Sequence, residues 1–326
     1  MSEMKKYNFI DLFAGCGGLS EGFYKQGYNA LAHVEINPTA CETLRTRMKY
    51  YGYKEADEAV LELDITREDV IECIDKAVKG QEVDVIIGGP PCQAYSSLGR
   101  AKDDNAMQDD PRNYLFLEYL RLVEEIQPEV FVIENVKSIL STAGGWFRDE
   151  ILAYIDRLGY SVSYGILNAK RFGVPQARER AIFICSKSKK VELPLGNDEI
   201  VTVRDAISDL AYLESAEGDF ESEYVTNPVT EYQKKMRCNS NKLYNHKASA
   251  HSELTINKLA MIPPEKGKEY LPEDMRGKQK FNTTWGRLIW DTVSPTIDTR
   301  FDTPSNGTNS HPVINRAITP REAARI

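Results

Sequence analysis

The chain has 326 residues, of which 41% are hydrophobic, so it is too long for one small core, fits two domains, and is too apolar to be disordered. No run approaches the roughly 18 consecutive apolar residues of a membrane helix, and the polar start at residues 1–8 lacks the apolar core of a secretory signal, so a cytoplasmic protein with no membrane partner is expected. The formal net charge of −8 argues against nucleic acid as a partner for the chain as a whole.

In chain order, residues 7–13 read as a buried strand, followed by a Gly-rich turn and a helix near 19–26. Residues 30–34 read as a second strand ending at Glu35. A strand at 83–87 runs into Gly88-Gly89-Pro90-Pro91-Cys92. Residues 115–126 carry Leu, Tyr, Val and Ile at helical spacing, and 130–133 read as a strand ending at Glu134-Asn135. Residues 151–158 are helical, and 161–167 and 181–185 are two further strands. Strand–helix alternation with functional residues at strand C-termini predicts a doubly wound α/β domain. Beyond about residue 190 the chain turns polar and irregular, with Pro263-Pro264, Pro272, Gly277, Pro295, Pro304 and Gly307. This predicts a second domain of loops and short strands, where recognition usually sits. The expected division is 1–187 and 188–326.

Charge is unevenly spread. Residues 231–290 hold 12 Lys and Arg against 6 Asp and Glu, a local net of +6 on a body carrying −14. A basic segment on an acidic body can bind phosphate locally, and an unevenly charged, solvated surface explains the count equally well. Six cysteines occur, with no C-x-x-C pair and no accompanying His cluster, so neither a metal site nor a disulfide framework is expected.

Asp11-Leu12-Phe13-Ala14-Gly15-Cys16-Gly17-Gly18 joins the first strand to the first helix. Its glycines allow a sharp turn close to a ligand, and the helix N-terminus supplies unpaired N–H groups. Glu35 at the next strand end suits ribose hydroxyls, and Asp64-Ile65 follow the third apolar segment, in reach of an adenine. The pattern fits NAD, flavin or S-adenosylmethionine, and its spacing is not a G-x-G-x-x-G. Gly88-Gly89-Pro90-Pro91-Cys92-Gln93 is more specific. Two glycines and two prolines cannot be strand or helix interior, and they hold Cys92 at a fixed place just past a strand. A thiolate is the strongest side-chain nucleophile near neutral pH.

With these pieces in order, the chain resembles a DNA cytosine-5 methyltransferase. The matching residues are Phe9-Ile10-Asp11-Leu12-Phe13-Ala14-Gly15-Cys16-Gly17-Gly18, Gly89-Pro90-Pro91-Cys92-Gln93, Glu134-Asn135-Val136, Gln176-Ala177-Arg178-Glu179-Arg180 and Thr319-Pro320-Arg321-Glu322-Ala323-Ala324-Arg325. The resemblance implies a Rossmann-like class I methyltransferase fold with a smaller, loop-rich target-recognition domain. It implies S-adenosylmethionine as cofactor, S-adenosylhomocysteine as product, and double-stranded DNA as partner. Its catalytic residues would be Cys92, Glu134, Arg178 and Arg180. Its cofactor residues would be Asp11, Phe13, Ala14, Gly15, Cys16, Gly17, Gly18, Glu35, Ile36, Asp64, Ile65, Pro91 and Leu115. A buried cytosine must be flipped out of the stack to be reached. The long polar segment after Cys92 would act as a lid, with Gln93, Ser96 and Arg100 meeting DNA, while Arg237 and Arg287 would do so from the basic stretch. His246, His251 and His311 are scattered and read as structural or DNA-facing.

The family normally carries a further Asn-Ala-Val-Pro-like segment that this sequence lacks, while Thr319, Pro320 and Glu322 read as the N-cap, N1 and N3 of a new helix. Either truncation or a second polypeptide supplying that segment would account for this, and weak cofactor binding by this chain alone and a restriction endonuclease as genetic neighbour are expected. The competing readings are a tRNA cytosine-5 methyltransferase and a silent DNA-binding fragment.

Overall fold

The computed structural model describes residues 6–91, 114–277 and 283–326. In the first unit the elements run β1 (Asn8–Leu12), α1 (Ser20–Lys25), β2 (Asn29–Glu35), α2 (Pro38–Tyr50), β3 (Val60–Glu62), α3 (Val70–Val78), β4 (Val85–Gly88), α4 (Leu115–Ile126), β5 (Val130–Val136), α5 (Trp146–Arg157), β6 (Ser161–Asn168) and β7 (Glu179–Ser186). Phe9, Ile10, Leu12, Ile86 and Ile87 are wholly buried, so the central strands are covered on both faces, as parallel strands between helices are.

The seven strands lie in the order β3-β2-β1-β4-β5-β7-β6. β1 is parallel to both β2 and β4, β4 is parallel to β5, and β7 runs antiparallel to β5 with Val136 opposite Arg180. The strand order reverses between β1 and β4, and ligands of such sheets bind outside the strand C-termini at that point. One face packs Ile10, Leu12, Phe131, Ile133 and Phe183 against Ile74, Tyr119 and Ile151 of α3, α4 and α5. The other packs Phe9, Ala30, Val85 and Ile87 against Tyr24 of α1 and Leu44 and Met48 of α2. Helix α2 starts at Asn37, whose Oδ1 accepts the Ala40 amide at 3.1 Å, with Pro38 at the first position.

The second unit contains α6 (Val203–Ile207), β8 (Gly218–Glu223), α7 (Glu231–Arg237), β9 (Lys242–Lys247), α8 (Glu253–Met261) and α9 (Pro320–Arg325). β8 and β9 form an antiparallel pair, and Gln176–Ala177 pairs with Ser294–Pro295. Its apolar centre is small: Val203, Ile207, Leu288 and Ile318 form one cluster, and Leu259, Ile262, Leu271 and Trp285 another. Buried ion pairs supplement it. Arg316 grips Glu322 through two bonds of 2.7 and 2.8 Å, and Glu322 closes the capping box of α9 with Thr319. Among the described residues no helix is long and apolar enough to cross a membrane.

The units interleave in sequence rather than dividing once at 187/188. One comprises Met1–Leu167 and Glu179–Pro194; the other comprises Asn168–Arg178 and Leu195–Ile326. The cause is pairing: β7 is a strand of the first unit's sheet, while Gln176–Ala177 just before it pairs within the second.

Candidate active site

The C-terminal ends of β4 and β5 are built around two glycines. A Cβ on Gly88 would lie 2.4 Å from the Leu12 carbonyl oxygen and 2.7 Å from the Tyr119 ring. The Tyr119 hydroxyl lies 2.9 Å from the Val132 carbonyl and 3.2 Å from that of Ile86, which fixes α4 beneath both strands. A Cβ on Gly89 would stand 3.2 Å from Glu134 Oε2. The Asn135 amide donates to the Pro90 carbonyl at 2.9 Å, so the strand that carries Glu134 also holds the Pro-Pro segment. Glu134 Oε1 lies 2.9 Å from Arg180 Nε across the antiparallel β5–β7 pair. Both side chains keep part of their surface open, so the carboxylate is aimed by the guanidinium yet accessible to a ligand. Arg178 ends the segment Asn168–Arg178 of the second unit, whereas Arg180 belongs to the first. Cys92, Gln93, Ser96 and Arg100 lie outside the described residues.

Beside this edge is a cavity of about 610 Å³ lined by Phe13, Val34, Glu35, Ile36, Leu63, Asp64, Ile65, Thr66, Gly89, Pro91 and Leu115. Apolar walls with a few fixed polar groups are the usual build of a cofactor site. Glu35 is held by two backbone amides, that of Gly15 at 2.8 Å and that of Asn37 at 2.8 Å. Asp64 Oδ1 accepts from the Thr66 amide and hydroxyl at 2.9 and 2.8 Å. Ile36 is 63% exposed, a large aliphatic side chain offered to whatever fills the space. Phe13 has φ +60°, a left-handed conformation that a bulky residue adopts only where its surroundings enforce it. Apolar walls beside fixed carboxylates have the chemistry that an adenosine would require, with Glu35 as the group that would meet its ribose. Val34, Leu63 and Thr66 were not singled out from the sequence; their signal was position, each adjoining an acidic strand-end residue or lying just beyond it.

Several expectations are corrected. The Asp11 carboxylate is turned away from the cavity: it is 1% exposed and accepts the Ser20 hydroxyl at 2.5 Å. Burial raises its pKa to about 7. Ala14, Gly15, Cys16, Gly17 and Gly18 shape the turn without lining the cavity. A Cβ on Gly17 would meet Leu44 Cδ1 at 2.6 Å. Arg287 is not a DNA contact: it is 3% exposed and donates to the carbonyls of Leu259, Ile262, His311 and Ile314 and to Asn315 Oδ1. Arg237 is likewise committed, to the buried Asp209 carboxylate and to the Thr226 carbonyl at 2.7 Å. His246 is buried between Thr319 Oγ1 and the Leu210 carbonyl, and His311 Nδ1 accepts the Val313 and Ile314 amides. A larger cleft of about 760 Å³ opens at the opposite strand ends, by Val83, Glu125 and Glu129, away from every motif residue but Ile10, a buried residue on its floor.

A doubly wound sheet with its antiparallel β7, and a cavity of about 610 Å³ at the strand ends where strand order reverses, mark an α/β protein built to hold a nucleotide-like cofactor. Residues 7–326 match the family described as C-5 cytosine-specific DNA methylase. The Type II methyltransferase M.DdeI of Desulfomicrobium norvegicum is 35% identical, over 98% of this chain and 77% of that protein. M.Bpa9945I of Bacillus paralicheniformis is 30% identical, over 97% and 89%. A solved structure, described as a DNA modification methyltransferase encoded within a prophage of E. coli, shares the fold with a TM-score of 0.73 at 24% identity, over 98% of this chain and 88% of that one. The chain belongs to the C-5 cytosine-specific DNA methylase family, whose members carry a methyl group from S-adenosylmethionine to C5 of cytosine in DNA.

Proposed function

We propose that this chain is the modification methyltransferase of a Type II restriction–modification system, acting on a flipped-out cytosine in a specific duplex sequence, with Cys92 as nucleophile. What carries the reading is one juxtaposition: Gly89 and Pro91, the latter the residue before Cys92 in sequence, line the cofactor cavity, and a Cβ on Gly89 would stand 3.2 Å from the Glu134 carboxylate. The cofactor supplies an electrophilic methyl group. Cytosine C5 is too weak a nucleophile to take it unaided. The Cys92 thiolate adds to C6, and Glu134 favours protonation at N3, so that electron density collects at C5. After transfer a base removes the C5 proton, the C5–C6 double bond re-forms and the thiolate leaves. Arg180 holds the Glu134 carboxylate in line, and Arg178 is assigned to the cytosine O2. Phe13, Glu35, Ile36, Asp64, Ile65, Pro91 and Leu115 hold the cofactor. The first unit is the catalytic one, and the second reads the major groove, where all four base pairs differ.

The test is a covalent adduct with duplex DNA containing 5-fluorocytosine, formed in the presence of S-adenosylmethionine and lost in Cys92→Ala. Adduct on tRNA but not on duplex DNA would move the substrate to RNA. Absence of adduct on both, with DNA still bound, would leave a silent DNA-binding chain.

A second polypeptide and a cognate endonuclease encoded nearby belong to the same proposal, with the cytoplasm as its place. What supports the second chain is an apolar strip on the α1/α2 side of the sheet, where Val130 and Val132 of β5 and Ile182 and Ile184 of β7 are only partly buried. Bisulfite sequencing of a plasmid co-expressed with this gene, with and without its neighbour, tests this and reports the target sequence.

A further inference from the structure

A second pocket, of about 340 Å³, opens where α1 and α2 end, at the N-terminal ends of the first unit's strands. Tyr24, Tyr28, Tyr51 and Tyr53 line it, together with Lys6 and Lys54. Strand β2 runs from Asn29 at this pocket to Glu35 at the cofactor cavity, about 20 Å of extended chain, so the two sites are separate. The methyl transfer makes no use of this one.

The tyrosine rings are fixed before any ligand arrives. Tyr24 Oη lies 2.7 Å from His33 Nε2, and the Tyr51 hydroxyl donates to Glu21. The Tyr53 hydroxyl donates to the Tyr28 carbonyl at 3.1 Å and accepts the Ala30 amide at 3.2 Å. Tyr24 and Tyr51 have centroids 4.9 Å apart and planes 30° apart, and Tyr28 stands edge-on to Phe23. Tyr28, Tyr51 and Tyr53 nevertheless keep part of their surface open. Rings already held in place offer a planar ligand a stacking surface at little cost in side-chain ordering.

The charge at the pocket runs against that of the chain. Its described lining has two lysines and no carboxylate, in a protein of net charge −8. Among the described residues neither Lys6 nor Lys54 forms an ion pair, whereas Lys25, Lys49 and Lys79 of the same unit all pair with carboxylates. Two helix C-termini oppose an anion, each with about −0.5 charge, but two full lysine charges outweigh the resulting −1 or so. The turns that follow also return amides to the carbonyls of Phe23, Tyr24, Met48 and Lys49. The balance suits an anion, and the walls suit an aromatic one.

We propose that this pocket binds one nucleotide, its base against the tyrosines and its phosphate met by Lys6 and Lys54, taken either free or as a unit of a single DNA strand. The volume is at the small end of the roughly 300–1,000 Å³ of small-molecule sites, which suits one nucleotide rather than two. Stacking on aromatic rings tolerates any base, so the site reads no sequence. This goes beyond the methyl-transfer reading and does not rest on it.

The experiment is photo-cross-linking of the full chain by 5-iodo-2′-deoxyuridine 5′-monophosphate, with S-adenosylhomocysteine in excess, followed by peptide mapping. The cross-link should fall on Tyr28, Tyr51 or Tyr53. The double variant Lys6→Glu, Lys54→Glu should weaken it about tenfold, as for one lost charge-assisted hydrogen bond, with melting unchanged because both lysines are exposed. Tyr51→Leu should weaken it about tenfold, within the range of a lost base–aromatic stack, while Tyr51→Phe retains it. Cross-linking by the mononucleotide marks a free nucleotide as the ligand; cross-linking to the same tyrosines only by a single-stranded oligonucleotide carrying the same base marks a DNA strand. No cross-link with either probe, cross-links confined to other residues, or a yield unchanged in the double lysine variant overturns the proposal and leaves the cofactor reading standing.

Discussion

Arg287 gives the sharpest test of structure against charge counting. A basic residue in a basic stretch of a DNA enzyme suggests a phosphate contact, yet its guanidinium is enclosed, with all five N–H directions used and no carboxylate among the acceptors. Arg287→Met keeps the aliphatic stem and removes the donors, leaving four main-chain carbonyls and the Asn315 amide oxygen to find new partners. At about 1–3 kcal/mol for each buried group left unpaired, full loss of all the acceptors would be as large as the whole stability of a typical domain. Water entry and relaxation reduce this, and a cost of about 4 kcal/mol is expected, out of a total of about 5–15 kcal/mol. Urea denaturation followed by tryptophan fluorescence reads it as a midpoint lowered by about 2 M, for a slope near 2 kcal/mol/M. DNA affinity measured against salt provides the second arm. Losing a phosphate contact would flatten the logarithmic salt slope by about 0.9, whereas the enclosed residue leaves the slope unchanged. A stability change below about 1 kcal/mol together with a flattened slope would refute the reasoning.

The buried Arg316–Glu322 pair predicts acid sensitivity. Burial alone would raise the Glu322 pKa, but Arg316 more than reverses this and holds it at about 2 against an ordinary 4.5. Its contribution, about 3 kcal/mol, is fully present above pH 4.5 and is lost as pH falls toward 2. In Glu322→Gln the melting temperature should therefore drop sharply at pH 7 and approach the wild-type value near pH 2. At the strand ends, Gly88→Ala should cost about 3 kcal/mol or prevent folding, because its Cβ would meet main chain. Gly18→Ala, with nothing within 4 Å of the added carbon, should melt within a few degrees of the wild type; equal melting of the two variants would count against the close approach at Gly88.

Much of the first unit was legible because its signals are local. The apolar runs of β1, β2, β4 and β5 and the spacing of α4 follow from burial on both faces and from helical periodicity. Helices α2 and α3 escaped notice, the first because its residues are mostly polar on an exposed face, although Asn37-Pro38 marked its start. Glu35, Asp64 and Pro91 were recognisable as strand-end residues. The inward turn of Asp11 was not, since its direction depends on Ser20 arriving from the next element. The second unit was the least legible. Whether Arg237 and Arg287 face solvent or the interior depends on acceptors distant in sequence, such as Asp209 and Leu259, and composition carries no trace of that.

The threading of the chain also bears on attempts to retarget such enzymes. A chimaera made by grafting residues 188–326 from a relative would keep the host's 168–178, including Gln176–Ala177, opposite a foreign Ser294–Pro295. The second unit in this architecture is transplanted as two pieces, an eleven-residue ribbon and the long C-terminal portion, and a donor that supplies only the latter leaves a mismatched seam.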